Sequence, residues 1–216
     1  MNCCCPHAAS ASRLFSLVAG SYYRRFRKRR FEASQEQLLE GLAQVGYGGA
    51  SLLEIGCGVG ALHQELLEKG AARATGIDLA PRMIEKAEQL AAERGLEERT
   101  EYIVGDFMAL GERIAPAEVT LLDKVVCCYP DADGLVHASL ARTGRVYALT
   151  YPRDRWYVRI GVALGGFLMW LIRSDFRPYL HDPRQVGHWI RQAGFVRRYR
   201  NTTWVWLTEV YEKPDA

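Results

Sequence analysis

Leu52-Leu53-Glu54-Ile55-Gly56-Cys57-Gly58-Val59-Gly60 decides how this chain is read. A short apolar run breaks into three glycines at steps of two residues. Glycine lets the backbone approach a ligand closely, and a helix that follows presents free N–H groups to it. The spacing differs from the G-x-G-x-x-G of dinucleotide-binding turns, and no Lys-Ser/Thr follows as in a P-loop. Alone, the turn points to a nucleotide-like ligand and no further.

Outward from this turn the chain alternates. Strands are expected at 51–55, 74–78, 101–104, 118–123 and 145–151, with helices at 61–69, 81–94 and 133–141 between them. Pro81 suits the first turn of its helix. Alternating β and α units predict an α/β fold: a doubly wound, mostly parallel sheet with helices on both faces and right-handed crossovers. Ligands of such sheets bind beyond the carboxyl ends of the strands. Near the C-terminus, Asp182 caps a helix that Pro183 opens and Gly194 stops. Residues 195–201 and 203–211, rich in aromatic and β-branched side chains, form an antiparallel hairpin that completes seven strands.

Before the turn, residues 1 to about 12 are expected to be disordered and 13–31 helical. Ser34, three residues ahead of Gln37, has capping-box spacing for a second helix. Its stripe of Leu38, Leu39, Leu42 and Val45 ends at Gly46 and Gly48. The expected organisation is an N-terminal basic and aromatic extension (1–32) and one domain (33–216) carrying an apolar lid insertion at about 153–180. Within that insertion Ile160 to Ile172 is the most apolar run, bracketed by Arg159 and Arg173. It is too short to span a bilayer of about 30 Å. A buried helix or a lid is preferred to a shallow membrane-surface contact.

The chain has 216 residues, 49% of them hydrophobic, and a net charge of +3, enough for one core. Its cations are mostly arginine, clustered at Arg24-Arg25-Phe26-Arg27-Lys28-Arg29-Arg30. They recur at Arg153, Arg155, Arg159, Arg173, Arg177 and Arg184, and at Arg191, Arg197, Arg198 and Arg200. Arginine forks suit carboxylates and phosphates, against the ordinary alternative of solvated helix faces. The six cysteines form no C-x-x-C pair, so a zinc site is not expected. Cys3, Cys4 and Cys5, with His7 close by, read as free thiols on a mobile terminus in preference to a soft-metal site, because no second ligand pair is visible. The missing apolar core of a signal peptide gives a cytoplasmic expectation.

Taken together, the strand ends resemble one family. Residues 52–60 resemble the first motif of the class I (Rossmann-like) S-adenosylmethionine (SAM)-dependent methyltransferases. Gly76-Ile77-Asp78-Leu79, Val104-Gly105-Asp106-Phe107 and the stretch from Leu121 to Asp131 resemble the next three, in order. The resemblance implies SAM as cofactor and assigns Glu54, Gly56, Cys57, Gly58 and Gly60 to its turn. It further implies Asp78 and Leu79 at the ribose, Asp106 and Phe107 at the adenine, and Asp123 and Lys124 at the methionine end. Each residue keeps an ordinary alternative: Asp78 as a helix cap, Asp106 as a turn closer, Cys57 as small filler.

Catalysis is harder to place. Cys127-Cys128 stands where many relatives carry His-His, so no base arises there. Tyr129 after strand four, Arg153 after strand five and His181 at the opening of the C-terminal helix are the candidate catalytic side chains, with packing or capping as the ordinary alternative for Tyr129 and His181. His137 is expected on the outer face of its helix. The apolar run with flanking arginines suits a small anionic or lipophilic acceptor, and the 153–182 stretch is loosely similar to the magnesium-protoporphyrin O-methyltransferases. The basic segment leaves open an RNA or protein acceptor, or a membrane contact. Cys-Cys-Tyr-Pro-Asp in place of Asn/Asp-Pro-Pro-aromatic counts against nucleic acid. A SAM-binding regulator without turnover also stays open.

Overall fold

The computed structural model describes residues 6–28 and 30–214. Two helices, α1 (Pro6–Arg27) and α2 (Ala33–Val45), precede the sheet. Then follow β1 (Ser51–Ile55), α3 (Ala61–Glu68), β2 (Arg73–Asp78), α4 (Pro81–Glu93), β3 (Thr100–Val104) and the short α5 (Phe107–Leu110). The second half holds β4 (Ala117–Asp123), α6 (Ala132–Leu140), β5 (Thr143–Pro152), α7 (Trp156–Leu171), α8 (Pro183–Gln192), β6 (Val196–Thr202) and β7 (Trp206–Glu212).

The seven strands lie in the order β3-β2-β1-β4-β5-β7-β6. The first five are parallel, and β7 pairs antiparallel to both β5 and β6. The doubly wound α/β expectation and the C-terminal hairpin are thus both present. Period-two alternation along the central strands sends neighbours to opposite faces. Leu53, Leu122 and Leu149 pack toward α6 and α8, while Leu52, Leu121 and Ala148 pack toward α2 and α3. The crossover direction changes between β1 and β4, and their carboxyl ends open the crevice in which such sheets bind ligands.

Two features of the N-terminal part differ from expectation. Residues 6–12, expected to be disordered, belong to the first turns of α1. The cap of α2 is two residues earlier than Ser34: Glu32 occupies the N-cap position, and its backbone N–H donates to Gln35 Oε1 at 3.1 Å. Ser34 is instead buried. Long-range contacts decide both differences. Ser12 Oγ donates to the Leu79 carbonyl at 2.9 Å, the Tyr23 hydroxyl to Glu93, and Arg27 pairs with Glu93 at 3.2 Å. Ala19, Tyr23 and Phe26 of α1 share a core cluster with Met83 and Leu90 of α4. The basic cluster is therefore partly consumed, since Arg25 and Arg27 have internal carboxylate partners. Arg29 and Cys3, Cys4 and Cys5 lie outside the described residues.

Candidate active site

The glycine turn is built as its spacing requires. Gly56, Gly58 and Gly60 all have positive φ, at 66°, 55° and 74°, a region costly for residues with a Cβ. A Cβ on Gly56 would lie 2.5 Å from Val125 Cγ2, so this glycine is needed for packing. A Cβ on Gly58 would meet no protein atom within 4 Å, so its backbone faces open space. Gly60 caps α3.

Beneath the turn lies a polar network that the sequence reading missed. Glu54, buried in β1, accepts from the ring of His63 through Nδ1 at 2.6 Å. The other ring nitrogen meets the Tyr102 hydroxyl at 2.9 Å, which also accepts from Gln64 at 2.7 Å. Burial pushes the Glu54 carboxyl up, and the His63 contact partly offsets this. The only advance signal was a histidine and a glutamine on the buried face of α3, an ordinary core pattern.

The acids fall at successive strand ends. Asp78 accepts from Gly58 N–H and Ala80 N–H, both at 2.8 Å, so it ties the glycine turn to the start of α4. Burial raises its pKa against those two bonds. Asp106 caps α5 by accepting from Met108 N–H at 3.0 Å, and also accepts from the Tyr129 hydroxyl at 2.5 Å. Asp123 accepts from Gln35 Nε2 at 2.9 Å through Oδ2. Its Oδ1 is buried with no partner, and burial lifts its pKa. A buried carboxylate oxygen without a donor is costly unless a ligand supplies one.

Lys124 adopts φ 60° and turns its ammonium to Glu32, over the Trp206 ring at 5.2 Å. Burial raises the Glu32 carboxyl, but Lys124 and Arg25 outweigh it and leave the pKa below the ordinary value. Glu32 and Gln35 thus brace the end of β4 from α2.

These elements enclose a cavity of about 380 Å³. Every residue assigned to the cofactor other than Gly60 lines it: Glu54, Gly56, Cys57, Gly58, Asp78, Leu79, Asp106, Phe107, Asp123 and Lys124. The α1 side is mostly apolar, through Ala8, Ala11, Phe15, Tyr22 and Phe26, with His7 as its polar member. The volume falls within the usual range of small-ligand sites, roughly 300–1,000 Å³. Gly58's open flank, the unpartnered Asp123 oxygen and the carboxylates of Asp78 and Asp106 fit a ligand with a cationic amino group, a ribose and a base.

The three candidate catalytic residues separate. Tyr129 lines the cavity, and burial with the Asp106 bond raises its hydroxyl pKa steeply, so it stays protonated. His181 is outside this cavity and holds the Tyr129 carbonyl through Nε2 at 2.9 Å, acting on the site through Tyr129's backbone. Arg153 is turned away toward the Thr203 carbonyl at 2.7 Å, because β5 continues into pairing with β7 and draws it to the hairpin turn. His137 is exposed and bonds the Asp133 carbonyl, as expected. Cys57 and Cys128 line the cavity as protonated thiols. Burial raises Cys57, and a bond with Cys127 followed by burial raises Cys128. Nothing from 153–180 lines the cavity, so the roof is α1 rather than the expected lid. No group of three metal-ligating side chains occurs among the described residues.

Comparison with known proteins bears on the fold and on the reaction class. Residues 52–145 match the family model described as a methyltransferase domain. The ubiquinone biosynthesis O-methyltransferase of Xylella fastidiosa (strain 9a5c) is 28% identical over 159 residues, 70% of this chain and 63% of that protein. The chain thus spans less than two thirds of that relative's length. The protein of the same description from Pseudomonas fluorescens is 27% identical over 188 residues, 80% of this chain and 77% of that one. Among solved structures, the magnesium protoporphyrin IX methyltransferase of Synechocystis PCC 6803 with bound SAM superposes with a TM-score of 0.70. It is 16% identical and covers 99% of this chain and 100% of that one. With the motif order, the sheet order and the cavity in agreement, residues 52–145 are similar to a methyltransferase domain and the chain takes the fold of the SAM-bound magnesium protoporphyrin IX methyltransferase.

Proposed function

We propose that the protein transfers the SAM methyl group to an oxygen of a small lipophilic acceptor. The carrying observation is the cavity's two-sidedness: carboxylates and the glycine turn on one wall, the apolar face of α1 on the other. The relatives' descriptions as small-molecule O-methyltransferases support the oxygen acceptor. SAM supplies an electrophilic methyl on a sulfonium, and displacement is in line. The chain's part is positioning and water exclusion. Asp78 serves the ribose, Asp106 and Phe107 the adenine, and the free oxygen of Asp123 the amino group. Tyr129 donates to Asp106 and is no base. An acceptor that ionises without help, such as a carboxylate or an acidic phenol, needs no base from the chain.

Incubation with methyl-labelled SAM and lipid-soluble, RNA and protein fractions tests this reading. Label is expected in the lipid-soluble fraction. Label in RNA or protein would replace the acceptor class, and no label with S-adenosylhomocysteine (SAH) still bound would indicate a regulator without turnover.

A further inference from the structure

Helix α7 departs from the usual pattern of surface helices. Of its 16 residues only Val158 is buried. Trp156, Ile160, Leu164, Phe167, Trp170 and Leu171 are each more than half exposed. At about 100° per residue these six fall on one side, and the side turned to the protein carries Val158, Val162, Gly165 and Met169. The outward face of the helix is therefore as apolar as the face turned to the protein. No charged residue interrupts 160–172. A contiguous patch of this kind marks an interaction surface.

The ends of the patch say what kind. Arg155 stands exposed before the helix and Arg173 exposed after it. Arg159 is already neutralised by Asp154 at 2.7 Å. Trp204, 81% exposed on the β6–β7 turn, extends the surface through Tyr157 to Trp156, with ring centroids 5.8 and 5.7 Å apart. Tryptophan and tyrosine at the margin of an apolar face suit the headgroup level of a bilayer, and arginine suits anionic headgroups. A second copy of the chain fits poorly. Stacked antiparallel, α7 would set Arg155 of one copy beside Arg173 of the other; stacked parallel, it would set each arginine beside its own equivalent. Sixteen residues reach about 24 Å, short of a hydrocarbon core of about 30 Å. No helix among the described residues is long and apolar enough to cross a membrane.

The geometry points to α7 as an in-plane anchor that seats the protein on an anionic phospholipid surface, with the Trp156–Tyr157–Trp204 cluster at the headgroup level. The anchor is joined to the cavity. Phe176, just beyond α7, is buried against His7 and Phe15 of α1, with ring centroids 5.3 and 5.7 Å away, and both of those residues line the cavity. A lipophilic acceptor dissolved in the bilayer would then reach the roof of the site without crossing bulk water. The anchor itself stands on α7 alone and does not depend on methyl transfer.

Flotation of the full chain with vesicles tests it, using phosphatidylcholine alone and phosphatidylcholine mixed with phosphatidylglycerol, at low and at physiological salt. The protein is expected to float with the anionic vesicles. The double variant Leu164→Glu/Phe167→Glu should lower that partition by roughly tenfold or more. The variant Arg155→Glu/Arg173→Glu should abolish the preference for phosphatidylglycerol. Both should bind SAH like the parent, which separates lost anchoring from lost folding. The anchor is overturned if the parent stays in solution with anionic vesicles at low salt, or if the Leu164/Phe167 variant floats as well as the parent. Equally, a dimer in solution that the same variant splits would assign the face to a second copy.

Discussion

The Tyr129 hydroxyl donates to Asp106 Oδ1 at 2.5 Å, binding the loop after β4 to the end of β3 across the mouth of the cavity. The bond makes Tyr129 a brace for the adenine-side acid. Tyr129→Phe is expected to weaken SAH binding by roughly threefold to tenfold, the equivalent of about 0.7–1.4 kcal/mol. Because the hydroxyl stays protonated, the pH profile of turnover should not move. Titration calorimetry and a pH–rate series measure the two effects, and a displaced alkaline limb in the variant would make Tyr129 a base after all.

Gly56 and Gly58 should respond differently to alanine. Gly56→Ala combines positive φ with a contact at 2.5 Å and is expected to destabilise the fold by about 2–4 kcal/mol. Gly58→Ala has room, so only the φ strain of about 1–2 kcal/mol applies to stability. Its methyl would nonetheless stand in the ligand's path, and SAH affinity should fall at least about tenfold. Denaturant melts and calorimetry on both variants check the contrast.

Burial raises the pKa values of Asp78 and Asp123, so the folded, ligand-free state holds their protons more readily than the unfolded chain. Their contribution to stability therefore falls as pH climbs from about 4 through the folded pKa values. A ligand carrying a cationic amino group needs Asp123 ionised, so SAH affinity should run the other way and weaken on acidification through the same window. Asp123→Asn is expected to bind SAH more weakly at neutral pH and with a flatter pH dependence. An unchanged profile would remove Asp123 from the amino-group site.

The pair of Glu54 and His63 is buried, with side-chain exposures of 3% and 0%. His63→Leu would strand the carboxylate and should cost about 3–5 kcal/mol in a urea melt. Tyr102→Phe removes a partner from both His63 and Gln64 and should cost about 1–3 kcal/mol. If both variants melt like the parent, the network contributes nothing to the fold.

Because α1 forms the apolar wall, bound SAH should slow amide exchange in α1 between Ala8 and Phe26 as well as in the glycine turn. Protection confined to the turn would separate α1 from the cofactor's side of the cavity.

What could be read from the sequence was what short range determines. The strand ends at Asp78, Asp106 and Asp123 were legible because alternation and glycine spacing are local properties. The roof was not. Phe15, Tyr22 and Phe26 were visible as apolar residues of a helix, but their partners in α4 and across the cavity are distant in sequence. Ser34 has the right local spacing to Gln37 for a cap. Glu32 took the position because Arg25 and Lys124 give its carboxylate two partners that no local pattern announces. Arg153 was drawn off by strand pairing with the C-terminal hairpin, again a tertiary effect.

The cavity's two walls come from separable stretches of chain. Its acids and glycine turn lie within 52–145, while α1 supplies a mostly apolar stretch together with His7. Substitutions in α1 can therefore reshape the apolar side of the cavity without touching the glycine turn or the acids at the strand ends.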